Sequence, residues 1–212
     1  AAFWKHGLTT MRIAILDDYQ DAARRLACFA TLKGHEFISL TEHVRDPEEL
    51  GRRLDGVEAI VLIQQRMRMP REAIEQLRTV KLISQTGRRT THIDLDACTE
   101  KGIAVCAGGV SNSYTTAEFT WGLLLAAARH IPREVQALRS GHWQSTIGTQ
   151  LHGRTLGVYA YGKIGSLVAG YGRAFGMKVV CWGREGSTAR ARHDGFEIAA
   201  SREAFFESCD FV

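Results

Sequence analysis

The chain has 212 residues, 45% of them hydrophobic and 24% charged, with a net charge of +4 from 27 basic and 23 acidic side chains. That composition supports a sizeable core and excludes a disordered chain. The basic residues are spread along the sequence without a run, which excludes a nucleic-acid footprint.

Residues 1–10, AAFWKHGLTT, carry no apolar signal-peptide core and precede a clean strand, so they are expected to form a disordered leader. From Met11 the elements alternate. Strands are expected at Arg12 to Asp17, Glu36 to Leu40, Ala59 to Ile63, Lys81 to Ser84 and Ile103 to Cys106. Helices are expected between them at Gln20 to Leu32, Pro47 to Leu54, Pro70 to Leu77 (with proline in its first turn) and Leu95 to Thr99. Strands recurring about every 20 residues with intervening helices predict an α/β fold, a doubly wound parallel sheet of flavodoxin-like kind, over residues 11–112.

A long helix from about Ser113 to about Ser140 is expected to open a second domain, 113–212, of the Rossmann dinucleotide-binding kind. Its most apolar part, Phe119 to Ala128, is far too short to cross a bilayer and is closed by Glu118 and Arg129, so no membrane segment is expected. Being hydrophobic nearly all round, that run must be buried in the fold or against a second subunit. Further elements are expected at Thr188 to Asp194 (helix), Phe196 to Ala199 (strand), Arg202 to Glu207 (helix) and Asp210 to Val212 (the start of a strand). A doubly wound nucleotide domain normally has about six strands, so this one is expected to be incomplete, with a C-terminal portion missing from the sequence. Five cysteines, Cys28, Cys98, Cys106, Cys181 and Cys209, are odd in number and widely spaced without a C-x-x-C pattern. They read as reduced, buried thiols of a cytoplasmic protein with no metal site.

The chemistry concentrates between Gly157 and Glu185. An apolar run ending at Tyr161 is followed at once by glycines and a helical pattern, Gly176 closes the helix, and Met177 to Trp182 is a second apolar run. This strand, crossover helix and parallel strand would aim a helix N-terminus, with unpaired N–H groups and partial positive charge, at a pyrophosphate. The fingerprint G-x-G-x-x-G reads here Ala160-Tyr161-Gly162-Lys163-Ile164-Gly165. Alanine at the first glycine position matters only if that residue needs positive φ. Gly162 allows close backbone approach to phosphate, and Gly165 allows close helix packing. The second strand should end on an acid for the adenosine ribose; Gly183 stands there instead, followed by Arg184. A guanidinium in place of a carboxylate suits a ribose 2′-phosphate and favours NADP over NAD. The alternative is that Arg184 is a solvated loop cation and Glu185 serves as the acid.

LISQTG (82–87), HIDLDACTEKGIAVC (92–106), SNSYTTAEFTWGLLLAAAR (111–129), GHW (141–143) and LHGRTLGVYAYGKIGSLVAGYGRAFGMKV (151–179) together resemble the D-isomer-specific 2-hydroxyacid dehydrogenases, across nearly the whole of residues 11–212. The resemblance implies a substrate domain and a cofactor domain with the active site in a cleft between them, and hydride transfer between NAD(P)(H) and C2 of a 2-oxo or D-2-hydroxy acid. It places the substrate carboxylate on the loop Thr86, Gly87, Arg88, Arg89. Relatives usually have a second glycine where Arg89 stands, so the two arginines either charge the pocket or point into water. It also places Gln64, Gln65 and Arg66 on another substrate-side loop. It brings Asn112 and Thr116 to the nicotinamide, with a helix cap as the other role for Thr116, the two being compatible. The pyrophosphate falls to the turn from Tyr161 to Gly165, with the N–H groups of Lys163 and Ile164 on it. The family's catalytic arginine, glutamate and histidine have no counterpart here and are expected beyond Val212; His92 and His142 look structural. The resemblance further implies a homodimer through the apolar helix. A dinucleotide-sensing, corepressor-like module without turnover is the alternative from another class.

Overall fold

The structure, a computed structural model, describes residues 10–109 and 112–212. The expected leader falls, but for its last residue, outside the described residues. The chain divides into two compact units, Ala1–Ser111 and Asn112–Val212.

The first unit holds five parallel strands, β1 (Arg12–Leu16), β2 (Glu36–Ser39), β3 (Ala59–Ile63), β4 (Leu82–Thr86) and β5 (Ala104–Gly108), in the order β2-β1-β3-β4-β5. This is the flavodoxin-like order the strand spacing predicts. Ala14, Leu16, Ile60, Leu62 and Ile83 are wholly buried, because crossover helices cover a parallel sheet and its strands read as apolar runs. The register sets Leu16 beside Leu62, Ile63 beside Thr86, and Thr86 beside Gly108. Those strands therefore end together, and the loops after them share one edge.

Three helices lie between the strands, α1 (Pro47–Arg53), α2 (Arg71–Glu75) and α3 (Leu95–Glu100). Helix α1 starts where the Asp46 carboxylate accepts the N–H groups of Glu48 and Glu49, with proline in its first turn. It buries Leu50 against Ile74 and Leu77 of the same core, worth roughly 2 kcal/mol for such a side chain. Pro70 caps α2 from outside instead of opening it. The helix expected at Gln20 to Leu32 is replaced by two 3₁₀ segments, Ala23–Arg25 and Ala27–Leu32, split at Leu26, whose ψ of 136° is extended. Neither segment buries a residue, so no apolar stripe holds a regular helix together there.

The second unit holds α4 (Ser113–Ala128), α5 (Ile131–Arg139), β6 (Thr155–Tyr159), α6 (Lys163–Ala174), β7 (Lys178–Trp182), α7 (Glu185–His193), β8 (Glu197–Ile198) and α8 (Arg202–Ser208). Strands β6, β7 and β8 pair in that order, all parallel. On the other edge of β6, Phe211 makes a parallel bridge with Leu156 and accepts the Gly157 N–H at 2.7 Å. The strand expected from Asp210 is thus this bridge. Chain order runs outward to β8 on one side of β6 and resumes at Phe211 on the other, which makes the end of β6 a topological switch point.

The single long helix expected over 113–140 is two helices. Pro132 lacks an N–H for the Ala128 carbonyl, and its ring would clash there in a continuous helix. His130 takes the left-handed conformation, φ 52°, between α4 and α5, and the freed Ala128 carbonyl accepts the Thr149 N–H at 2.7 Å. The segment after α5 is laced to it: the Glu134 carboxylate accepts Ser145 N–H at 3.1 Å, Ser145 Oγ–H at 2.8 Å and Thr146 Oγ–H at 2.5 Å. Helix α4 is not buried all round. Ala117, Trp121 and Ala128 face the core, Trp121 lying edge-on to Tyr171 and Phe175, while Phe119 and Leu123 are exposed.

All five cysteines are free thiols. Cys98 and Cys181 are buried, but Cys28 and Cys106 are exposed, contrary to the expectation for all five.

Candidate functional site

The turn after β6 is built for close backbone approach. Ala160 follows the strand directly and donates its N–H to the Trp182 carbonyl at 2.7 Å, tying the turn to the end of β7. Its φ is +74°, so the first fingerprint position does require the left-handed region. Alanine there carries a strain of roughly 1–2 kcal/mol that glycine would not. A Cβ on Gly165 would lie 2.6 Å from the Ala160 carbonyl oxygen, so only glycine lets α6 pack this tightly under the turn.

Gly162 behaves differently. A Cβ there would meet nothing within 4 Å, and Gly162 caps α6 without any side-chain bond. Ser166 is the first residue whose N–H finds an intrahelical acceptor, the Gly162 carbonyl at 2.9 Å. Among the described residues no acceptor takes the N–H groups of Lys163, Ile164 or Gly165, and no acidic side chain occupies the first turn. Three unpaired donors at the positive end of a 12-residue helix, under open space and beside an exposed Lys163, fit a pyrophosphate.

Tyr161 is a correction to the expected cofactor contacts. Only 4% of it is exposed, and all three of its polar groups are engaged inside the unit. Its N–H donates to Ser187 Oγ at 2.5 Å, its carbonyl accepts from Arg190 at 3.0 Å, and its hydroxyl donates to Asp194 at 2.8 Å. Burial, then the Asp194 carboxylate, push the hydroxyl pKa up to about 12. Tyr161 clamps α7 to the turn. At the end of β7, a Cβ on Gly183 would lie 3.3 Å from Ala160 Cα and 3.2 Å from Ser187 Oγ, a tight fit in which a side chain would have to displace its neighbours by a few tenths of an ångström. Arg184 caps α7 with an exposed side chain, and Glu185 starts the helix, likewise exposed.

Asn112 proves to be the cap of α4, its side chain accepting the Tyr114 N–H at 3.0 Å. Thr116, in the first turn, is exposed and lends its carbonyl to the Thr120 hydroxyl at 2.9 Å; it is not the cap.

In the first unit the loop after β4 is partly spoken for. Gly87, φ +111°, donates its N–H to the Gly108 carbonyl at 2.6 Å, so that N–H is not available to a carboxylate as expected. Among the described residues the N–H groups of Arg88 and Arg89 have no acceptor, and both side chains are exposed. Thr86 Oγ accepts the Gln64 N–H at 2.8 Å. Arg66 is half-buried, donates to the Asp17 carbonyl at 2.7 Å, and lies over the Tyr19 ring with 5.1 Å to its centroid.

Gln85, 2% exposed, locks these loops together. Its Nε2 donates to the carbonyls of Gln64 at 2.6 Å and Thr86 at 3.0 Å, which turns Oε1 towards His92 Nε2, 3.1 Å away. Because Oε1 only accepts, His92 must carry its proton on Nε2, leaving a buried Nδ1 without a partner. Burial lowers the His92 pKa. Gln85, Ser187 and Asp194 escape sequence reasoning because each acts through a distant partner. A glutamine inside the apolar run LISQTG was the one available signal.

A switch-point turn with free helix N–H groups, in a chain that also carries a flavodoxin-like unit, defines an α/β protein of the dinucleotide-binding class. The family model for the D-isomer specific 2-hydroxyacid dehydrogenase NAD binding domain matches residues 121–212, and that part of the chain belongs to this domain family. It is 33% identical over 167 residues to D-3-phosphoglycerate dehydrogenase of Methanocaldococcus jannaschii, covering 78% of this chain and 32% of that one. It is 32% identical over 183 residues to hydroxypyruvate reductase of Thermotoga maritima, covering 85% and 58%. The crystal structure of a Ralstonia solanacearum oxidoreductase, provisionally assigned as a D-3-phosphoglycerate dehydrogenase, matches with TM-score 0.91 and 48% identity over 95% of this chain and 63% of that one. The chain thus spans 32% to 63% of the length of these relatives. Among the described residues no helix is long and apolar enough to cross a membrane.

Proposed function

We propose that the protein is an oxidoreductase that moves a hydride between NAD(P)(H) and C2 of a 2-oxo or D-2-hydroxy acid. The observation that carries the reading is the trio of unpaired N–H groups at Lys163, Ile164 and Gly165, open above Gly162. A nicotinamide dinucleotide, when bound, supplies or accepts the hydride. The chain's own part is to bind and orient: the α6 N-terminus takes the pyrophosphate, while Asn112 and Thr116 approach the nicotinamide side. The N–H groups of Arg88 and Arg89, with Thr86, Gly87 and Arg66 around them, receive the substrate carboxylate. With Gly183 crowded and Arg184 exposed, the ribose site favours the 2′-phosphate of NADP. The residues 11–112 act as the substrate domain and 113–212 as the cofactor domain. Exposed Phe119 and Leu123 on α4, with Val135 and Leu138 on α5, support a homodimer through these helices. Five free thiols support a cytoplasmic setting.

Fluorescence titration with NADPH and NADH, followed by a panel of glyoxylate, hydroxypyruvate and 3-phosphohydroxypyruvate with each cofactor, tests the reading. NADPH is expected to bind at least tenfold tighter, with the preference lost in Arg184→Ala. Equal or tighter NADH binding overturns the NADP assignment, and absence of binding to either cofactor overturns the function. Sedimentation as a monomer at micromolar concentration overturns the dimer.

A further inference from the structure

Strand β3 ends at Ile63 and the chain turns at once, the Arg66 N–H donating to the Ile63 carbonyl at 3.3 Å. Gln64 takes the second place of this turn at φ +52°, a region that glycine enters freely and other residues enter under strain. A glutamine there has to be held, and two residues at the end of β4 hold it. Thr86 Oγ accepts the Gln64 N–H at 2.8 Å, and Gln85 Nε2 donates to the Gln64 carbonyl at 2.6 Å. Both backbone polar groups of Gln64 are bound, so the peptides on either side of it are fixed together.

Gln85 reaches beyond this turn. Nε2 also donates to the Thr86 carbonyl at 3.0 Å, just ahead of Gly87 at φ +111°. Oε1 accepts from His92, whose own segment is pinned: Met69 N–H donates to the His92 carbonyl at 2.8 Å, and Asp94 N–H to the Met69 carbonyl at 2.9 Å. One buried amide therefore spends all its bonding capacity on three separate stretches, the turn after β3, the loop after β4 and the segment before α3. Packing does not explain it. The position lies in a parallel strand, where burial alone asks for valine or leucine, and at 2% exposure a lost bond is not replaced by water.

We propose that Gln85 is a positioning residue for the substrate. It holds the strained turn at Gln64 and the loop at Thr86 in one fixed relation, so that an organic acid meets both loops already in place. The clamp stands on hydrogen bonds of the first unit alone; its role towards a substrate rests on the function proposed above.

Gln85→Met keeps the length of the side chain and loses both donors. In NADPH-dependent reduction of hydroxypyruvate and glyoxylate, KM is expected to rise at least tenfold, with kcat within threefold and NADPH affinity within twofold of the parent. Gln85→Asn, which keeps the amide but withdraws it by one carbon, carries the same test in milder form, with KM raised at least threefold. Gln64→Gly separates positioning from packing, because glycine adopts the turn without being held. In that background Gln85→Met is expected to raise KM less than threefold. Amide hydrogen exchange reads the clamp without turnover: the Gln64 N–H in Gln85→Met is expected to exchange at least tenfold faster, while that of Ile74 in α2 stays within twofold. Parent-like exchange at Gln64 overturns the clamp. An unchanged KM, or a KM penalty equal in both backgrounds, overturns the positioning role. Absence of turnover of both acids by the parent defeats the proposed function and the substrate role with it, while exchange at Gln64 still decides the clamp.

Discussion

The turns after β4 and β6 occupy equivalent places, at the carboxyl ends of parallel strands, and treat their backbone donors in opposite ways. After β4 the Gly87 N–H goes to Gly108, and Gln85 ties that loop to Gln64 and His92. After β6 the first three N–H groups of α6 have no acceptor among the described residues. One loop is fixed by side-chain locks and offers few donors; the other is fixed by glycine packing and offers three. A single architecture thus separates rigidity by hydrogen bonding from rigidity by close approach, and the second leaves a helix N-terminus open to an anion.

That contrast breaks most visibly at Gly165. In Gly165→Ala the new Cβ falls 2.6 Å from the Ala160 carbonyl oxygen and 3.1 Å from Val158 Cγ1, and a stability loss of about 3 kcal/mol is expected from forcing backbone apart. Denaturant unfolding measures it, and a parent-like midpoint would mean the turn is not packed as described. Gly162→Ala meets open space instead. Stability should fall by about 1 kcal/mol or less, the difference between glycine and alanine at a cap, while NADPH affinity drops at least tenfold because the methyl stands where phosphate approaches. The pair dissociates folding from binding.

Ala160→Gly should act in the opposite direction. Relief of φ +74° is expected to stabilise the protein by about 1 kcal/mol, read as a raised thermal midpoint. The smallest effect sharpens the other loop. Burial holds the His92 pKa below its ordinary value, so between the folded pKa and about 6.5 the unfolded chain binds a proton that the native protein does not. Stability is therefore complete above about pH 6.5 and declines as pH falls towards the folded pKa. His92→Gln keeps a donor for Gln85 and lacks the titration. Unfolding curves from pH 7 to pH 5 should show a shallower decline in the variant, and identical slopes would contradict the buried neutral imidazole.

The sheet order and the dinucleotide turn were legible because both follow from local pattern: apolar runs every 20 residues or so, and glycines between a strand and a helix. What was not legible depends on closure in space. The break at His130 needed the clash of Pro132 with a carbonyl one turn back. The torsion at Ala160 is set by its bond to Trp182, and the loss of the Gly87 donor by a partner on the neighbouring strand. Tyr161 stands inside the fingerprint, yet Ser187, Arg190 and Asp194 of the following helix region claim all its polar groups. The first-unit loops were harder still, since Asp17, His43 and Arg66 are far apart in sequence and meet only once β1 and β3 pair.

The lacing of residues 145 and 146 to Glu134 has an optical consequence. Trp143 sits just ahead of that lacing with 75% of its surface in water, whereas Trp121 is sealed in the interior at 8%. The indole at 143 should emit at long wavelength and quench readily with iodide, while that at 121 emits in the blue and resists. Selective loss of the red component on concentrating the protein would register, without any label, the moment another surface settles over α5.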